Sequence, residues 1–567
     1  MIRMKFQDFV YQRPSIHDLE KKIVGFIRRF EEAESYEKQV SIMEEIHELR
    51  TEYESMCGIA YIRYTIDTTD PFYKAEQDFN DESNPIYQGI VTRYYKALVG
   101  SKFRSELEQR WGKQLFRIAE MSLKTFSPEI VELLQRENKL CSEYTSLIAS
   151  AKFVFEGEER NLPQLASFAL STDRKTRRKA LEARTSFFIE HEAELDDLFD
   201  QLVKVRTEIA HKLGYSNFVE LGYARLKRSD YSAADVANFR EKVRKYIVPI
   251  TLKLKERQRK RIGIDSLRYY DDSFSFKTGN AKPKGDPDQI VQNGKTMYAE
   301  LSPETGEFFD MMIENELMDL LSKKGKAGGG YCGIISKYKA PFIFANFNGT
   351  SSDIDVLTHE AGHAFQVLCS LDYKVPEYEF PTAEAGEIHS MSMEFFAWPW
   401  MDLFFPENAD KYRFSHMSDA LFFIPNGVAY DEFQHFVYEN PKASPADRKR
   451  AWRDIEKKYV PYRDYEGNDF LESGNLWLQN GHVFCLPFYY VDYTLARICS
   501  VQLWKKASVD RQAAWSDYMA LCKAGGSRSF LELLEIGNLV SPFSDGCVES
   551  VTEDIESWLD RIDDQKL

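Results

Sequence analysis

Thr358-His359-Glu360-Ala361-Gly362-His363 sets two histidines four residues apart, with a glutamate beside the first. If this stretch is helical, positions four apart project from one face, about 40° around the axis from each other. Two imidazoles on one face can hold one metal ion. Glu360 lies about 100° around from His359, beside such an ion rather than on it. There a carboxylate can act as the base for a water that attacks a carbonyl. Coincidence is a poor account. With ten histidines in 567 residues, the expected number of H-E-x-x-H motifs is roughly 0.01–0.02 per chain. His191-Glu192 shows what chance supplies, since position 195 is leucine.

A catalytic zinc usually takes three protein ligands and keeps one position open. No H-E-x-x-H-x-x-G-x-x-H continuation supplies the third. Downstream, Thr382 to Glu394 carries Glu384, Glu387 and Glu394 near one helical face, and any of them could reach an ion held by the first helix. His389 competes by chemistry but points about 160° away from Glu387. The eight cysteines include no Cys-x-x-Cys pair. Cys369 lies off the histidine face. They read as reduced, buried small hydrophobes rather than metal ligands.

These side chains need elements to hold them. Ser351, Ser352 or Asp353 can cap a helix whose apolar face is Val356, Leu357, Ala361, Ala364, Phe365 and Leu368. Pro381-Thr382 starts a second helix and Pro399 stops it. Ala340–Phe347 reads as a strand of a small sheet, with Asn348-Gly349 as a turn, and it could pair with a peptide backbone. The glycine-rich Lys326–Tyr331 stretch lacks a phosphate-loop ending and reads as a flexible turn. The first 150 residues read as amphipathic helices. Ser15 caps the first, Ile23, Ile27 and Phe30 make its apolar stripe, and Lys38–Tyr53 repeats the rhythm. The pattern loosens over Gly157–Gln164, which divides the chain into residues 1–165 and 166–567. Helices resume over Lys175–Phe199 and Leu202–Leu213, with Gly214 as a C-cap.

With 29 Gly and 20 Pro, the chain is poor in turn residues, and a mainly α fold is expected. A net charge of −16 argues against nucleic acid as main partner. The N-terminus lacks the apolar core of a secretory signal, and no run approaches the ~18 apolar residues of a membrane span. A cytoplasmic location and no membrane partner are expected.

His359-Glu360-Ala361-Gly362-His363, followed by Glu387 within Glu387-Ile-His-Ser-Met-Ser-Met-Glu394, resembles the oligoendopeptidase F family, which is related to thimet oligopeptidase and neurolysin. Tyr331 with the Ala340–Phe347 strand, Val428 to His435, and Gly481 to Tyr493 extend the likeness over roughly residues 165–560. The chain also looks like the Pz-peptidase branch. The resemblance implies a large helical zincin-type metallopeptidase, a small sheet beside the active-site helix, and a deep channel for short peptides. It implies residues 1–165 as a helical channel wall and 166–567 as the catalytic domain. It also implies one zinc held by His359, His363 and Glu387, Glu360 as catalytic base, and His482 with tyrosines facing the metal. Tyr493 and Tyr490 are the tyrosines that the resemblance implies for that role. The spacing from His482 is one residue shorter than in the thimet oligopeptidase pattern, which leaves Tyr489 as an alternative to Tyr490.

The expected activity is zinc-dependent cleavage of internal bonds in oligopeptides. A carboxypeptidase of related fold is the alternative. The Gly-x-Met-Glu-Asn signature of related aminopeptidases is absent, since Phe395 follows Glu394. A peptide-binding protein with a structural zinc would need a closed set of four ligands.

Overall fold

The computed structural model describes residues 4–567. Helices carry most of them. Ser15 accepts a hydrogen bond from the Asp18 amide at 3.2 Å and opens the helix Ile16–Glu32. Leu19, Ile23, Ile27 and Phe30 bury its stripe. Helices Tyr36–Ile66 and Pro71–Val99 pack on it, and together with Val375 and Tyr378 they enclose a core of their own. A larger core runs through the rest of the chain. The two parts are tied by a buried ion pair, Arg50 to Glu377 at 2.6 Å, and by the Tyr331 and Thr65 hydroxyls at 2.6 Å.

The expected Lys175–Phe199 helix breaks earlier. One helix runs Arg174–Glu190, His191 leaves helical geometry, and a second runs Glu192–Lys212. Gly214, just past its end, takes a φ of +86°. The loosened stretch holds a hairpin rather than a loop: β1 (Phe153–Phe155) pairs antiparallel with β2 (Glu158–Arg160). Glu156 and Gly157 turn between them at φ +51° and +84°, the two positive values that a tight hairpin turn needs.

The small sheet lies where the apolar run predicts it. β3 (Met318–Leu321), β4 (Tyr331–Ile335) and β5 (Ala340–Phe347) pair in the order β3-β5-β4, with β3 parallel and β4 antiparallel to β5. Tyr331 faces Phe344 across the ladder and Cys332 faces Ile343. β5 is therefore the central strand. Both of its edges are occupied, so it cannot add a substrate strand, contrary to the sequence expectation.

β5 feeds the motif helix, Ser352–Ser370, through the Asn348-Gly349 turn. Ser351 occupies the cap position but its side chain makes no cap bond. Asp353 ties the entry instead, accepting the Asn348 and Gly349 amides at 2.9 and 2.8 Å. The motif helix packs on β5 and on a second helix, Ala383–Phe396, which also meets Tyr490–Val509. Among the described residues no helix is long and apolar enough to cross a membrane.

Candidate active site

The second helix is buried on every side from Glu384 to Phe396. A polar side chain there must find a partner or bear the cost of desolvation. Glu387 finds both motif histidines. Its Oε2 lies 3.1 Å from His359 Nε2 and 3.4 Å from His363 Nε2. Ser390 Oγ donates to the same oxygen at 3.0 Å, and the Tyr489 hydroxyl donates to the other, Oε1.

The crossing of the two helices sets these distances. A Cβ on Gly362 would stand 2.7 Å from Ser390 Cα and 2.8 Å from the His389 carbonyl. Both are backbone atoms and cannot swing aside, so only glycine lets the helices approach this closely. Gly362→Ala is expected to cost about 1–3 kcal/mol of stability through overpacking and to weaken metal retention, read by denaturant titration and metal analysis. Gly328→Ala is the control. A Cβ there meets nothing within 4 Å, and no loss is expected.

Glu394 reaches His359 from the other side. Its Oε1 accepts from His359 Nδ1 at 2.7 Å. Its Oε2 takes His416 Nε2 at 2.8 Å and Arg497 at 2.9 Å. Burial pushes against ionisation of Glu394, but Arg497, His359 and His416 overcome it and hold the carboxyl well below its ordinary range. Burial likewise opposes ionisation of Glu387, and His363 and His359 lower it further than burial raises it. At His359 burial opposes the charge, yet bonds to Glu387 and Glu394 favour a cation strongly. The site's electrostatics thus call for positive charge between the carboxylates.

His359, His363 and Glu387 each offer a donor atom, and the three lie within 4.8 Å of one another. The separations of 3.1 and 3.4 Å are close to the edges, about 3.3–3.4 Å, of a tetrahedron with arms of ~2.0–2.1 Å. With Nδ1 of His359 committed to Glu394, its Nε2 lone pair is free to face the same point, the usual arrangement of a ligating histidine. Two imidazoles and an anionic carboxylate form a donor set that fits a divalent transition-metal ion. Asp355, four residues before His359, does not join; it accepts the Tyr412 hydroxyl at 2.5 Å. Glu384 faces elsewhere, with both oxygens buried and without hydrogen-bond partner. His389 lies edge-on to Tyr518.

Glu360 is buried beside the donors, and its Oε2 has no partner. Burial raises its carboxyl above the ordinary value. Gly330, the last glycine of the rich loop, leaves it room: a Cβ there would stand 3.1 Å from Glu360 Oε1. His482 Nε2 lies 3.2 Å from the Tyr493 hydroxyl. Burial lowers His482 to about 4, so it is neutral. Burial, with Glu387 and Glu360 nearby, keeps Tyr493 protonated. Tyr490 packs against His482, Tyr493, Tyr430 and Phe423, while Tyr489 is the tyrosine bonded to Glu387.

His359 and Glu360 line a chamber of about 730 Å³, and His482 and Tyr490 line a second of about 670 Å³. The two share Leu181, Arg184, Asp272, Ser273, Asn426 and Arg463, and the glycine-rich loop runs along both. The two chambers therefore adjoin along this common wall. His416, Arg497 and Ser390 are site residues that sequence reasoning did not name. The one available signal was the burial expected of Glu394, which requires partners without identifying them.

Residues 6–126 match the family model "Peptidase M3 N-terminal domain", and residues 167–552 match "Peptidase family M3". The oligoendopeptidase F homolog of Borreliella burgdorferi is 22% identical over 425 residues, which are 71% of this chain and 70% of that protein. The structure of Pz peptidase A with an inhibitor is 61% identical, covers 99% of this chain and 100% of its own, and superposes with a TM-score of 0.98. A Bacillus anthracis structure assigned as oligoendopeptidase F is 57% identical, covers 100% and 99%, and gives 0.94. With the family match spanning most of the sequence and these structures agreeing along its full length, the chain belongs to peptidase family M3 and is a metallo-endopeptidase.

Proposed function

We propose that the chain is a zinc-dependent oligoendopeptidase that cuts internal bonds of short peptides. The observation that carries this reading is the convergence of His359 Nε2, His363 Nε2 and Glu387 Oε2, with Glu360 beside them and with His359 and Glu360 lining the first chamber. Those three residues would hold the ion. Zinc bound there supplies Lewis-acid polarisation of the scissile carbonyl and a more acidic water.

The chain's own groups do the rest. Glu360 takes a proton from the attacking water and passes it to the leaving amine. Tyr493, backed by His482 or Tyr490, donates to the oxyanion as charge develops. Tyr489 holds Glu387 in place through its hydroxyl. Residues 1–165 act as a wall of the channel and 166–567 as the catalytic part. The channel admits extended short peptides and excludes folded chains. A cytoplasmic location belongs to the proposal on the sequence reading alone.

The test is a quenched peptide of about ten residues blocked at both ends, a length chosen to suit an enclosed channel. Internal cleavage that stops with a chelator and returns with zinc is expected. Cleavage only of peptides with a free end would replace the endopeptidase by an exopeptidase.

A further inference from the structure

Arg184, on the helix Arg174–Glu190, is part of the wall common to both chambers. Its Nε is buried and has no hydrogen-bond partner. The other cations of these walls are matched. Lys255 lies 3.5 Å from Asp272, Arg463 lies 3.3 Å from Asp272 and 2.9 Å from Glu456, and Arg497 lies 2.9 Å from Glu394. Around Arg184 the groups that act on its charge are the hydroxyls of Tyr430 and Tyr144, and burial works against the charge. Among the described residues, none offers it a carboxylate within ion-pair distance. Asp419 lines the first chamber but forms no ion pair with it.

A guanidinium stays ionised in proteins, and its planar fork matches a carboxylate bidentately. Holding such a charge in a partly desolvated wall without a counter-ion is costly. The cost is offset when a ligand brings the missing anion. A bound peptide has two sources of one, its C-terminal carboxylate and an acidic side chain. We propose that Arg184 is the residue that recognises a carboxylate of the bound peptide and so sets which short peptides are held across the cut. The inference rests on the oligopeptidase reading. It adds a specificity-determining contact away from the zinc donors and Glu360.

The test uses the full chain loaded with zinc and one peptide sequence in three forms. The first has a free C-terminal carboxylate and no internal acid. The second has a C-terminal amide. The third is the amide with one Glu moved stepwise along it. In the unsubstituted chain, carboxylate-bearing forms are expected to exceed the plain amide in kcat/KM by about 10–100-fold, mostly through KM, as a charged hydrogen bond would give. Preference for the first form identifies the C-terminus as the source; preference for the third at one register identifies a side chain. Arg184→Gln collapses the ratio towards one, and Arg184→Lys keeps part of it. A ratio unchanged in Arg184→Gln, with all forms slowed alike, would make Arg184 structural and overturn the inference. Equal cleavage of all forms by the unsubstituted chain would overturn it too. No cleavage of any form would overturn the oligopeptidase reading and this inference together.

Discussion

Exchange of Glu360 for glutamine is expected to lower kcat by about 10²–10⁴-fold, the range a positioned proton carrier contributes, while the metal content stays that of the unsubstituted chain. The two halves of this result have separate causes. Glutamine fills the same space against Gly330, where Glu360 Oε1 already leaves little room. Glu360 supplies none of the three converging donor atoms, so the ion keeps its ligands. The orphan Oε2 makes no structural bond that the amide would break. The exchange puts a neutral amide where burial already disfavours the carboxylate, and the thermal midpoint should not fall. What the amide cannot do is accept a proton. Turnover of the blocked peptide and metal analysis of the same preparation decide the matter. Activity within about tenfold of the parent, or loss of metal along with activity, would defeat the assignment of Glu360 as base.

The motif was legible because it is local. A spacing of four on a 3.6-residue helix puts His359 and His363 on one face whatever the rest of the chain does. The third donor was legible only as a choice. Glu384, Glu387 and Glu394 share a helical face in sequence, and the tertiary crossing at Gly362 and Ser390 separates their roles. Glu387 meets both histidines at Nε2, Glu394 meets His359 at Nδ1, and Glu384 meets neither. The apolar run Ala340–Phe347 showed a strand but not its neighbours. Strand order is non-local, and the parallel partner Met318–Leu321 is too short to announce itself. That is why β5 was expected to be free for substrate. The hairpin at Phe153–Arg160 escaped because its Glu-Gly turn carries half of the usual Asn-Gly signal. Arg184, His416 and Arg497 could not be identified individually: single basic residues on helices look like solvated surface until the fold buries them.

Substitutions of Glu387 and Glu394 are expected to fail in different ways, which makes the pair a sharper test of the site than either alone. Glu387→Gln should abolish zinc retention and, with it, peptide cleavage. The loss removes an anionic donor from between two imidazoles, while Tyr489 and Ser390 can still hydrogen-bond to the amide. No permanent cation depends on Glu387, because the histidines beside it can lose their protons. The metal-free fold should therefore be nearly as stable as the parent. Glu394→Gln is the reverse. His359 keeps its Nε2 for the ion but loses the carboxylate that orients it, which costs about 10–100-fold in metal affinity. Arg497, bonded to Glu394 at 2.9 Å and largely buried, is left without its counter-charge. Breaking one side of a buried pair costs about 3–5 kcal/mol, so this variant should be destabilised even without metal. Thermal unfolding along a zinc titration separates the cases. The parent gains about 2.7 kcal/mol when zinc reaches 100 times its Kd. Glu394→Gln starts lower and gains at higher zinc, and Glu387→Gln does not gain. Zinc-dependent stabilisation of Glu387→Gln equal to the parent's would move the third donor to another residue. Glu384, buried with two unpartnered oxygens, would then be the first carboxylate to substitute.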